Sequence, residues 1–138
     1  MNKGWSQAIT GPAVRRIITK CQVEGLYQRT MDAETCVECL ALWDTGSEGT
    51  VVSERIVKEL DLEPYGKSLI GHLNGQSTSV DYLVELILPS GQRSGLLRVN
   101  SGTIPSEVDV IIGMDVISRG DFQLLQKDGG MFFSFNLS

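Results

Sequence analysis

The sequence predicts an all-β fold, a small closed or nearly closed β-barrel with one or two short helices. Three observations predict it. Apolar residues recur at strand period in many short stretches, glycine-rich turns separate those stretches, and only two segments carry a helix-start pattern. The chain has 138 residues, enough for one domain with a real core.

Residues 1–12, through Gly11-Pro12, show no periodicity and are expected to form a loose arm before a single domain over 13–138. Residues 14–27 are rich in Val and Ile and read as one long or two short strands, with Glu24-Gly25 as a possible turn. After a turn at Asp32-Ala33-Glu34, a strand from Cys36 to Trp43 leads into Asp44, and Val51-Val52 is its short return. Ser53 followed by Glu54 predicts a capped helix burying Ile56, Val57 and Leu60, ended by Pro64. Two apolar stretches flank Gly71-His72-Leu73-Asn74-Gly75, and Asn-Gly between strands signals a hairpin. Residues 82–88 form a clear strand, 89–92 a turn, and 95–99 the strand that pairs back. Residues 108–112 read as a buried strand, and Asp115 as the cap of a short helix through Arg119. The tail alternates Met131, Phe133, Phe135 and Leu137 at strand period. A lone subunit would leave that face uncovered, so it is expected at a subunit interface.

Composition narrows the function classes. Twelve basic against seventeen acidic side chains leave a net charge of −5 without any basic block, so nucleic acid is not an expected partner. No stretch nears the roughly 18 apolar residues of a membrane span, and the first residues lack an apolar signal core. The expectation is a cytoplasmic protein with no membrane partner. Cys21, Cys36 and Cys39 are an odd set, which argues against a disulfide framework. Cys36-x-x-Cys39 invites a redox or zinc reading with Cys21 and His72 as further ligands. Val37, Cys39 and Ala41 alternate as in a strand, however, and His72 is the only histidine, so buried thiols and no metal are expected.

One segment carries chemistry. The apolar strand ends abruptly in Asp44-Thr45-Gly46-Ser47, small residues that let the backbone turn and leave space beside a carboxylate. Downstream lies Ile111-Ile112-Gly113, an apolar run broken by glycine. In this order the pair resembles the retroviral-type aspartic proteases, or retropepsins, over residues 37–120. The Asp-Thr-Gly segment occurs once, and the chain is too short for the two-lobed arrangement that carries two.

The resemblance implies a homodimer whose two-fold axis brings together two copies of Asp44. It implies no cofactor. Two carboxylates held about 3 Å apart share one proton, and such a pair can activate water while protonating a peptide carbonyl. Asp44 is then the catalytic carboxylate of an aspartic endopeptidase acting on extended, largely apolar peptide segments. Thr45 braces the two loops across the axis, and Gly46 accepts the substrate backbone. Ser47, Glu48, Ile112 and the hairpin Gly71, His72, Leu73, Asn74 and Gly75, matching the family's mobile flap, are the expected substrate-binding residues. A Ser47 hydroxyl donating to Asp44 would favour an acidic working range. Met114 stands where retroviral enzymes usually have Arg, which would leave Glu48 without an ionic partner and makes a catalytically silent dimerisation or peptide-binding module the alternative.

Overall fold

The computed structural model describes residues 5–9, 15–72 and 75–138. Among the described residues, ten strands and two helices follow one another as β1 (Trp5–Ile9), β2 (Ile17–Gly25), β3 (Cys36–Trp43), β4 (Val51–Val52), α1 (Glu54–Glu59), β5 (Gly66–His72), β6 (Gly75–Ile87), β7 (Arg93–Ser101), β8 (Val110–Ile112), α2 (Met114–Ile117), β9 (Gly120–Lys127) and β10 (Gly130–Leu137). No helix among the described residues is long and apolar enough to cross a membrane.

Seven strands form one sheet in the order β2-β3-β8-β4-β7-β6-β5, and β6 also pairs with β2 from Gln22↔Ile87 to Gly25↔Val84. That second pairing closes six strands into a barrel and leaves β5 outside the ring. Alternation explains which side faces in. Thr19, Cys21 and Val23 of β2, Val37, Cys39, Ala41 and Trp43 of β3, and Tyr82, Val84 and Leu86 of β6 are buried. Closure leaves these strands no open edge.

Helix α1 starts where the sequence places it, with the Ser53 hydroxyl accepting from the Ile56 N–H at 3.3 Å. It ends earlier than Pro64. Asp61 adopts a left-handed conformation (φ 46°), and the chain turns there so that Leu62 enters the core beside Ile56 and Leu60. Helix α2 departs from expectation at its start, because Gly113 occupies the cap position and Asp115 lies inside the first turn.

The second sheet, β1-β10-β9, closes one side of the barrel. Trp5–Ile9, within the stretch read from sequence as a loose arm, pairs with β10 from Trp5↔Phe135 to Ile9↔Met131. The tail is a strand as expected, but its apolar face covers the chain's own core. Phe133 and Phe135 are fully buried, with ring centroids 5.0 and 4.9 Å from Trp43, and Phe122 of β9 completes the aromatic cluster. The reason is Trp43, whose indole points inward and draws the aromatic strands over it. With about 1.5–3 kcal/mol for each buried Phe, removing the tail takes away core rather than a detachable interface.

Candidate active site

Asp44 is the first residue beyond β3, and its N–H donates to the Ile112 carbonyl at 2.9 Å, continuing the parallel pairing of β3 with β8. Ile112 is 0% exposed. Its side chain lies in the core and does not line a substrate surface; what it contributes to the loop is its carbonyl.

The chain then reverses. Gly46 N–H donates to Asp44 Oδ1 at 2.8 Å and Ser47 N–H to the Asp44 carbonyl at 3.2 Å, so the carboxylate is pinned over its own turn. The Ser47 hydroxyl donates to the Gly49 carbonyl at 2.7 Å. The expected bond from Ser47 to Asp44 is replaced by the backbone donor of Gly46, which gives Ser47 a structural role within the loop. Asp44 is half-buried, whereas Thr45, Gly46 and Glu48 are exposed. Glu48 makes no ion pair among the described residues.

Helix α2 holds the loop from below. Met114 N–H donates to the Ser47 carbonyl at 2.7 Å and Asp115 N–H to the Glu48 carbonyl at 3.1 Å. The Asp115 carboxylate accepts from Thr50 N–H (3.0 Å) and from the Thr50 hydroxyl (2.7 Å), and that hydroxyl accepts from Gly113 N–H at 3.3 Å. Thr50 is 1% exposed, so these bonds satisfy polar groups that water does not reach. Gly113 is required by contact: a Cβ there would stand 2.5 Å from the Gly49 carbonyl oxygen and 2.7 Å from that of Ser47. Asp115 and Thr50 brace the Asp44 loop, a part that sequence reasoning did not assign to them. An acid just inside a helix start was read as its cap, and nothing local points to Thr50.

A second brace lies at Asp109. Ser53 donates to it through both backbone (to the carbonyl, 2.8 Å) and hydroxyl (to Oδ1, 2.8 Å), and Arg55 binds its carboxylate with Nη2 at 2.7 Å and Nε at 3.1 Å. The Arg55 guanidinium holds the Asp109 carboxyl below the usual carboxylate range, with the Ser53 hydroxyl acting in the same sense against partial burial. The segment before β8 is thereby fastened to the start of α1.

The hairpin predicted around Gly71–Gly75 is β5–β6, in register from Gly66↔Asp81 to His72↔Gly75. Gly71 and His72 close β5 and Gly75 opens β6 at φ 118°, a conformation that favours glycine. Leu73 and Asn74 lie outside the described residues. The thiols sit elsewhere. Cys21 and Cys39 oppose each other across β2–β3 and are buried, and the neighbouring Cys39 thiol together with burial pushes the Cys21 thiol up. Cys36, three positions before Cys39, faces the other side of the strand, so the two do not converge on one metal. Among the described residues no three His, Cys, Asp or Glu side chains are grouped to hold a metal ion.

No family model matches the chain, and no curated protein does. Solved structures do. The chain is similar to a retropepsin-like aspartic protease from Rickettsia conorii (TM-score 0.57, 9% identity, 100% of this chain and 97% of that one). It is also similar to EIAV protease complexed with the inhibitor HBY-793 (TM-score 0.56, 20% identity, 80% and 92%). A third match is a foamy viral protease-reverse transcriptase in complex with an RNA/DNA hybrid (TM-score 0.52, 24% identity, 79% of this chain and 13% of that one). Identities this low speak for the backbone alone, and on that ground the chain has the retropepsin-like fold.

Proposed function

We propose that this protein is an aspartic endopeptidase whose site is assembled from one Asp44 of each subunit of a homodimer. The observation that carries this reading is the Asp44 carboxylate, half-exposed and held by the Gly46 N–H at 2.8 Å on a loop braced by β8 and α2. Positioning of this kind is what general acid–base work requires, because a misplaced carboxylate loses much of the rate.

In the reaction one Asp44 carboxylate takes a proton from water as the water oxygen attacks the peptide carbonyl carbon, and the protonated partner Asp44 delivers its proton to the carbonyl oxygen. Collapse of the resulting diol breaks the C–N bond, and the amine leaves with a proton returned from the pair. The pair works only while it holds one proton between its members, so activity falls at both ends of the pH range. Thr45 and Gly46, exposed beside Asp44, are placed in this reading at the subunit contact and against the substrate backbone, with the β5–β6 hairpin and its residues Gly71 to Gly75 closing on an extended peptide by strand addition.

Met114, exposed where the resemblance expects Arg, and Glu48, without an ionic partner among the described residues, favour a second reading, a barrel that binds peptide without cleaving it. Digestion of a peptide mixture by the wild type and by Asp44→Asn, read by mass spectrometry across pH, separates the two. Cleavage confined to the wild type supports the enzyme. Equal cleavage by folded Asp44→Asn overturns the assignment of Asp44, and peptide binding without cleavage by the wild type leaves the second reading.

A further inference from the structure

Strand β6 is 13 residues long and serves two partners in turn. Its first half pairs with β5 alone, and its second half pairs with β7 and β2 in the barrel wall. Asp81 is the residue at which the two ladders meet, opposite Gly66 on one side and Asn100 on the other. The hairpin leaves the barrel there.

The side chain at that branch point is unusual. Asp81 is 0% exposed, although it lies on the face of β6 opposite the barrel interior, where Tyr82, Val84 and Leu86 point. What covers it is polar. Arg98 Nε donates to Asp81 Oδ2 and Asn100 Nδ2 to Oδ1, both from β7, while the Asp81 carbonyl accepts from Tyr65 N–H at 2.8 Å. The Arg98 guanidinium continues over the Tyr65 ring, 5.3 Å from its centroid, and passes so close to Gly66 that a Cβ there would be 2.6 Å from Nη2. One cluster therefore grips the last residue before β5, the first residue of β5, and both strands of the barrel wall. Ser79 adds a bond from its hydroxyl to the Ser101 carbonyl at 3.3 Å. Further out, Leu69 is 71% exposed and Thr78 and Gly75 are also exposed. Of the residues in this stretch whose burial is described (Gly66, Lys67, Leu69, Gly75 and Thr78), none belongs to the core.

A hairpin held at one end by a cluster around a buried carboxylate moves as a lever about that end, and its resting angle is set by the cluster. We propose that Asp81, Arg98 and Asn100 form a positioning clamp that sets how readily the β5–β6 hairpin closes on a bound peptide. The clamp acts on affinity for the substrate segment and touches no reacting atom. This rests on the peptidase reading for its consequence in turnover, but its mechanical part does not.

The experiment follows both parts in Asp81→Asn, which keeps the side-chain shape and the contact with Asn100 while removing the charge facing Arg98. Amide hydrogen exchange over β5 and residues 75–80 is expected to rise about tenfold while β3 and β8 stay at wild-type rates. For a cleaved peptide KM is expected to rise severalfold with kcat nearly unchanged, and the neutral pair Asp81→Asn with Arg98→Gln is expected to recover part of both effects. Should Asp81→Asn fail to fold, Arg98→Lys, altered at the exposed end of the pair, is expected to show the same contrast in milder form. Unchanged exchange in the hairpin, or an equal rise in β3 and β8, overturns the clamp whether or not the protein cleaves peptide. A loss in kcat at constant KM overturns its stated role. Absence of any cleavage by the wild type counts against the peptidase reading alone, and the exchange data then decide the clamp.

Discussion

The loop from Asp44 to Thr50 and the hairpin from Gly66 to Asp81 leave the same barrel, and they are held in opposite ways. The loop binds back to distant parts of the chain at four of its seven residues, to Ile112 at Asp44, to Met114 at Ser47, and to Asp115 at Glu48 and Thr50. The hairpin has its own second strand as partner over most of its length and, among the described residues, joins the wall at its root alone. Cooperative structure resists local opening where bonds cross between elements, and it yields where they stay within one. In the proposed reading the difference separates two tasks, holding a carboxylate still and letting a peptide in.

The most severe test of the loop's rigidity is Gly113→Ala. The added methyl meets the Ser47 and Gly49 carbonyls, so either the loop or α2 must shift. Overpacking of this kind costs about 1–3 kcal/mol, and denaturant unfolding should show it together with loss of peptide cleavage. A variant with wild-type stability and turnover would mean that the loop is not held as described.

Asp109→Asn probes the same region through pH. The folded carboxyl is held below its unfolded value by Arg55, so the stabilisation is present above about pH 4 and is lost as pH falls through the folded value. The variant should be less stable than wild type by about 1 kcal/mol at neutral pH, a modest figure because the half-exposed Arg55 is screened by solvent. The two unfolding curves should converge in acid; a difference that persists undiminished below pH 3 would contradict this attribution.

The smallest effect belongs to the hairpin. Gly75→Ala places a side chain at φ 118°, where it is strained, and that strain falls on the hairpin rather than on the barrel wall. Global stability should change by less than about 0.5 kcal/mol while exchange of the hairpin amides rises. A large drop in global stability would erase the contrast between the two regions.

Much of this was legible locally. Cys36–Trp43 and Val51–Val52 are strands as read, and Ser53 caps its helix, because side-chain alternation and capping are written in neighbouring residues. Strand β9 escaped because most of its side chains are exposed, and only Phe122 packs against the core. The tail shows another limit. Its period told that Met131, Phe133, Phe135 and Leu137 share a face, and only Trp43 in the folded chain tells what that face covers. At the site, the sharp turn at Asp44-Thr45-Gly46 was readable from small residues that follow an apolar strand, whereas the bond from Thr50 to Asp115 joins residues 65 positions apart. The Asp81 cluster is equally non-local, since Arg98 and Asn100 reach it from the next strand.

In the proposed enzyme each subunit supplies one Asp44 to a shared site, and mixing subunits tests this most directly. Wild type and Asp44→Asn are combined at equal concentration, allowed to exchange, and assayed for peptide cleavage at constant total protein. A site built from two copies predicts roughly a quarter of the wild-type rate, because only dimers of two intact subunits carry the pair. Half the wild-type rate, the value for independent subunits, would contradict the account.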